Sequence, residues 1–200
     1  MMGKAVSIAI AGVAASGKSS VAKELKSLLE KQGKKVAMIS TNELANKSKV
    51  GYDRKLQSWI IDVKILRREF RSWKAKAERE NQVLIVHGIL AHLLPVDLVF
   101  ILRVNPIELE RRLKKRKYGK AKIAQNLLAE ALDVILVEAL QYSKRRRKKA
   151  KIAQIDCSEK SVKEIAREIE SMLKKRKVKL TKVDWLGKRE VVELLSLIHI

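Results

Sequence analysis

Along this chain, short apolar runs alternate with stretches in which apolar residues recur every three or four positions. Residues 5–11 (Ala-Val-Ser-Ile-Ala-Ile-Ala) form an apolar, partly β-branched run that predicts a buried strand. Val21, Leu25, Leu28 and Leu29 then repeat at helical spacing, so a helix is expected from Lys18, with Gly33 as its C-cap. A second strand is predicted at residues 35–40, and residues 41–45 read as a loop entering a short helix. Gly51-Tyr52-Asp53 reads as a turn. Asp62 is a candidate N-cap for a longer helix in which Val63, Leu66, Phe70 and Trp73 share a face. Residues 83–86 are a third strand, 87–94 a loop and short helix, and 98–103 a fourth strand. Asn105-Pro106 opens a basic helical pair running to about Ser143, with proline at the first helical position. Residues 152–155 are a fifth strand, and Ser158 or Ser161 caps a helix ending near Lys174. Strands alternating with helices predict an α/β fold, a three-layer α/β/α sandwich around a five-stranded parallel sheet. The pattern shows no internal repeat and no Pro- or Gly-rich linker, so residues 1–186 are expected to form one domain, with 187–200 as a tail.

The junction between the first strand and the first helix carries the chemistry. Gly12-Val13-Ala14-Ala15-Ser16-Gly17-Lys18-Ser19-Ser20 fits the phosphate-loop pattern of glycine, four residues, then Gly-Lys-Ser, in the strand–loop–helix setting that the pattern requires. In such a loop the backbone N–H groups of the segment from Gly12 through Ala15 and Gly17 to Ser20 point inward at a helix N-terminus and cradle an anion. Lys18 can then reach the outer phosphates of a nucleotide, and the Ser19 hydroxyl can join a Mg²⁺ shell. The expected ligands are therefore ATP and Mg²⁺.

Composition narrows the partners. The 200 residues hold 45 Lys and Arg against 22 Asp and Glu, a formal charge of +23, while 46% of residues are hydrophobic. The chain should fold, and its charge points to a polyanionic partner or to a lysine-rich proteome in which nothing binds. The charge is clustered: eight of twelve residues over 111–122, seven of eight over 144–151, and six of nine over 174–182 are Lys or Arg. Aromatic residues are only 4%, so phosphate contacts rather than a base-stacking platform are expected. Cys157 is the only cysteine, which excludes a disulfide framework and a zinc site and suits a reducing, cytoplasmic setting. The first residues leave no room for a signal peptide before the first strand. Residues 83–102 are of membrane-spanning length, but His87, Gly88, His92, Pro95 and Asp97 interrupt them, so two strands and no membrane partner are expected.

Taken together, these residues resemble the adenylate kinase isoenzyme six family, small P-loop kinases tied to maturation of the small ribosomal subunit, and most of all its archaeal members. The likeness covers about residues 5–186. Beyond the phosphate loop it rests on Glu43-Leu44-Ala45, Gly51-Tyr52-Asp53, Ile60-Ile61-Asp62, His87-Gly88, Leu90-Ala91-His92, Pro95-Val96-Asp97-Leu98-Val99 and Leu102-Arg103. It continues with Arg112-Leu113, Arg116-Lys117-Tyr118, Asn126, Ala129-Glu130-Ala131-Leu132-Asp133 and Asp184-Trp185-Leu186.

The resemblance implies a P-loop kinase that transfers the γ-phosphate of Mg-ATP to AMP. It also implies a ribosomal protein or ribosomal RNA of the small subunit as partner, and a monomer or weak dimer. An acceptor site would lie at about residues 40–62, with Asn42, Tyr52 and Asp53 holding a nucleoside and Arg54 its phosphate. A lid would lie near residues 115–125, with Arg116 matching the family's ATP-contacting arginine. Arg112 reads equally as a phosphate contact or as one solvated helix face. The loop Asp156-Cys157-Ser158 falls where adenine would be held, with Cys157 as a packing residue.

Two other readings stay open: an ATP-switched assembly factor with incidental kinase activity, and a kinase of another small molecule on the same scaffold. Three departures bear on the choice. Ala15 stands where the family has glycine, no acid closes the third strand for Mg²⁺, and residues 191–200 match nothing in the family. His87, at that strand end, could contact phosphates or water.

Overall fold

The computed structural model describes residues 5–54 and 58–198. The predicted sheet is present. Strands β1 (Ser7–Ala11), β2 (Val36–Ser40), β5 (Val83–His87), β6 (Leu98–Arg103) and β7 (Lys151–Asp156) form one sheet in the order β2-β5-β1-β6-β7. Every pairing in it is parallel. β1 sits in the middle, and Ile8, Ala9, Ile10 and Ala11 are buried because both faces are covered. On one face α1 (Lys18–Glu30) packs against α7 (Val162–Lys174). On the other, α3 (Val63–Arg79) and α6 (Val134–Lys144) meet where the Arg67 guanidinium lies 3.9 Å from the centre of the Tyr142 ring.

Local chemistry sets the element ends. Asp62 caps α3 by accepting from Lys64 N at 2.7 Å, as its position predicts. Ser161, not Ser158, caps α7, in a reciprocal box with Glu164. Ser158 instead accepts from Asn105 N at 2.9 Å and donates to Asp156 at 2.6 Å.

Three expectations are corrected. Gly51-Tyr52-Asp53 is not a turn but part of β3 (Lys49–Asp53), which pairs antiparallel with β4 (Ser58–Ile61) in a separate hairpin. Tyr52 and Trp59 face each other across it at 5.1 Å, a cross-strand pair that propensity alone does not reveal. Trp73 does not share the buried face of α3; Leu66, Phe70 and Ala77 do. The basic helical pair is three helices, α4 (Pro106–Lys115), α5 (Lys120–Ala131) and α6, because Lys117 and Asp133 take positive φ and break the run. α8 (Arg189–Ser196) buries Val191 and packs on α4 and α5. The short α2 (Thr41–Leu44) follows β2 as expected.

One buried ion pair joins these layers. Arg103, the last residue of β6, donates from Nε to Glu130 of α5 at 2.6 Å, with both side chains 2% exposed. Its other nitrogens reach Gln154 of β7, the Glu130 carbonyl and Asp133. Glu130 also accepts from Val104 N and from the Trp185 indole at 2.9 Å, and Gln154 donates to the Thr181 carbonyl. The stretch after α7 is thereby pinned to the core.

Removing the carboxylate leaves Arg103 with the partly exposed Asp133 as its one charged partner, so Glu130→Ala should lower the unfolding free energy by about 3 kcal/mol. Trp185→Phe, which deletes one N–H donor, should cost about 1 kcal/mol. Urea titrations followed by circular dichroism check this, and equal losses in the two variants would contradict it.

Candidate nucleotide site

The site forms at the carboxyl ends of the parallel strands, beside β1, where the chain moves from one side of the sheet to the other. Its floor is the loop from β1 to α1. A Cβ on Gly12 would stand 2.7 Å from the Leu102 carbonyl and 2.6 Å from Ser16 Oγ, so only glycine fits. Gly17 has φ +92° and Ala15 φ +62°. Ala15 therefore adopts the left-handed conformation that its family glycine would supply, at a cost of about 1 kcal/mol. The departure does not prevent the loop from forming.

Lys18 begins α1 and is buried, with its ammonium folded back on the Val13 carbonyl at 2.6 Å and 3.4 Å from Ser16 Oγ. Burial first, and then the Arg116 guanidinium, push it down to about 7, while Glu130 pulls the other way. That environment is short of negative charge, as an anion cradle is before its anion arrives. Arg116 is exposed at the end of α4, within electrostatic reach of Lys18. Arg112, one turn earlier, is held by Glu108 at 2.8 Å. Of the two arginines, Arg116 is the one whose charge lowers the pKa of the loop lysine.

Ser19 Oγ lies 3.3 Å from His87 Nδ1, and both Ser19 and Ser20 are exposed. Burial lowers the His87 pKa, Glu43 opposes this, and Lys18 and Lys23 add to it, so the imidazole is neutral near pH 7. Gly88 has a steric reason to follow it, since a Cβ there would fall 1.8 Å from Thr41 Oγ1. That close approach sets α2 against the end of β5. It brings Glu43, fixed by a capping box to Ser40, into the field of His87. Among the described residues no group of three or more His, Cys, Asp or Glu could hold a metal ion. The donors present fit a cation carried mainly by phosphate oxygens, with Ser19 as the protein's hydroxyl.

The predicted acceptor residues are divided. Asn42 is exposed on α2, beside the end of β2, whereas Tyr52 and Asp53 are on the hairpin strand β3 and Arg54 follows it. Tyr52 and Trp59 leave about half of their surfaces open, at 49% and 54%, and Lys49 lies 4.9 Å over the Trp59 ring. The low aromatic fraction concealed this exposed pair, because composition says nothing about where aromatic residues meet. Cys157 is buried and its thiol is pushed up to about 12 by burial, so it packs and stays protonated.

Asn126 was missed as a site residue. From α5, whose first half falls within the predicted lid, its Oδ1 accepts from the phosphate-loop amide of Ala14 at 3.0 Å, while its Nδ2 donates to Lys122 O. Helical spacing puts it one turn before Glu130, but only the fold shows that this face meets the loop.

The sheet order, the loop geometry and the helix-borne arginine define a P-loop nucleotide kinase. The comparisons agree. A family described as "AAA domain" matches residues 8–133. The protein named "Putative adenylate kinase" in Archaeoglobus fulgidus is 36% identical over 92% of this chain and 93% of its own. Its namesakes in Methanococcus maripaludis and Thermococcus onnurineus are 32% and 35% identical over 90% and 95% of this chain, and 94% and 97% of theirs. The Mycobacterium tuberculosis APS kinase, solved with AMPPNP and APS, shares the fold with a TM-score of 0.55 at 18% identity, over 86% of this chain and 98% of that one. The chain belongs to the archaeal family that bears the adenylate kinase name. Among the described residues no helix is long and apolar enough to cross a membrane.

Because Lys18 is held near 7 without a ligand, an incoming phosphate should raise its pKa and draw in a proton. At pH 8, ADP binding should take up about one proton, measured by calorimetry in buffers of different ionisation enthalpy. In Lys18→Arg, which is charged throughout, the uptake should vanish.

Proposed function

We propose that this kinase transfers the γ-phosphate of ATP to AMP, giving two ADP. The observation that supports this most is the loop lysine, buried on the Val13 carbonyl with no carboxylate bonded to it and with its pKa lowered by burial and by the charge of Arg116. Gly12, Ala15, Gly17, Ser19 and Ser20 would present the loop to the donor's phosphates. Lys18 would sit between the outer phosphates, and Arg116 would grip their oxygens as charge spreads in the transition state. Mg²⁺, when bound, would neutralise that charge; Ser19 would supply the protein's hydroxyl to it, and His87, 3.3 Å from Ser19 Oγ, would orient that hydroxyl. Asn42, Tyr52 and Asp53 would hold the acceptor nucleoside and Arg54 its phosphate. Arg112 would have to leave Glu108 to reach a phosphate.

A second reading, an ATP-switched assembly factor that grips a ribosomal protein or ribosomal RNA, is favoured by charge that phosphoryl transfer does not use. Lys148, Lys149 and Lys151 of one basic block and Lys174 and Arg176 of another line a hollow at the amino ends of the strands, away from the phosphate loop. Part of the first block is structural: Arg146 donates to the Val96 carbonyl at 2.6 Å, and Lys148 pairs with Asp97.

With AMP present, ATP consumption should yield two ADP per ATP and no matching free phosphate, resolved by chromatography. If AMP leaves the rate unchanged and phosphate accumulates, the protein is an ATPase and the second reading moves ahead. Lys18→Ala should lower turnover about a hundredfold or more with the fold intact; near-normal activity would remove the loop from the mechanism.

A further inference from the structure

Two of the basic blocks, about thirty residues apart in the chain, converge at the amino ends of the sheet strands, opposite the nucleotide site. There a hollow of about 590 Å³ opens between the end of α1, the end of α7 and the loop before β7. Its floor is aliphatic, with Val6, Val83, Leu98, Met172, Leu173 and Val178 only half-buried. Its rim carries Lys148, Lys149, Lys151, Lys174 and Arg176, and a single acid, Asp97.

Asp97 is already committed. Burial would raise its pKa, but Lys148, the Ser7 hydroxyl and amide, and Lys74 hold it well below the ordinary carboxylate range. Lys174 is paired with Glu170 at 2.5 Å. Lys149, Lys151 and Arg176 are exposed around the mouth, and their charge is not offset by that one acid. The strands separate this hollow from the phosphate loop by roughly 16 Å.

We propose that the hollow is a docking site for an acidic protein segment that buries an aliphatic or aromatic side chain in the floor and sets flanking carboxylates against the rim. The two halves of the site demand both features. An aliphatic floor offers a base no stacking partner and no hydrogen bonds, so a single-stranded nucleic acid would use the rim and leave the floor exposed. An apolar ligand alone would leave the rim repulsion unrelieved. An acidic segment with an apolar anchor satisfies both, with the anchor supplying affinity and the charges steering and register. This site is independent of the acceptor that the kinase uses.

The test is fluorescence anisotropy with a labelled peptide carrying Leu-Phe-Leu between runs of glutamate, in about 0.1 M salt. Saturable binding is expected. Replacing the Leu-Phe-Leu core by Ser-Gly-Ser should weaken it at least about tenfold. The exposed-surface variant Lys149→Glu with Lys151→Glu should weaken it about tenfold or more, with the thermal melt and ATP turnover unchanged. Absence of saturable binding, or equal binding of the two peptides, would overturn the proposal. So would tighter binding of labelled oligouridylate that the double variant abolishes, which would give the surface to RNA instead.

Discussion

The pairing of Arg103 with Glu130 is the interaction on which the rest of this structure depends. An arginine at the end of a central parallel strand is taken out of water, and it is tolerable there only if its donors are met. Glu130 meets one directly and another through its own carbonyl, so α5 must lie across the strand end. The remaining lone pairs of Glu130 draw in Val104 N and the Trp185 indole, which brings the chain after α7 back over the sheet. Gln154 and Thr181 close the same circuit from β7. With α5 fixed, Asn126 one turn earlier reaches the phosphate loop, and Glu130 itself is close enough to act on Lys18. The kinase site and the core are thus electrostatically coupled through one helix.

The phosphate loop is the complementary case, a place where charge is left unmet. Its backbone geometry accepts strain at Ala15 and admits no side chain at Gly12. Lys18 is buried with a carbonyl and a hydroxyl for company and an arginine nearby. Such an arrangement is unfavourable by itself and favourable around a polyphosphate, which is the physical content of preorganisation. The missing strand-end acid fits the same logic, since His87, kept neutral by burial, faces Ser19 without adding a charge.

The excess of 23 positive charges divides in a similar way. Some of the basic side chains are structural: Arg67 and Arg146 flank Tyr142 and bond to backbone carbonyls, and Lys74 and Lys148 share Asp97. Others, among them Lys149, Lys151 and Arg176, lie exposed at the amino ends of the strands, where an anionic partner would relieve their repulsion. Runs that look uniform as text therefore separate into buried contacts and open surface once the chain is folded.

The sequence by itself determined the five parallel strands, the flanking helices, the phosphate loop and the cap at Asp62. Each of these is written in local periodicity or in a short pattern with its own stereochemistry. It did not reveal the β3–β4 hairpin, whose exposed Tyr52 and Trp59 break the alternation expected of a strand with one buried face. It also did not show where the long basic helical stretch divides, because Lys117 and Asp133 adopt left-handed conformations that their residue types do not announce. Only the family resemblance set Arg116 apart from Arg112 in the sequence; in the fold Glu108 holds Arg112, while the charge of Arg116 lowers the Lys18 pKa. Asn126, Glu130 and Trp185 stood in the sequence without a stated task. Their partners lie 112, 27 and 55 residues away, and only the tertiary structure brings donor and acceptor within hydrogen-bond reach.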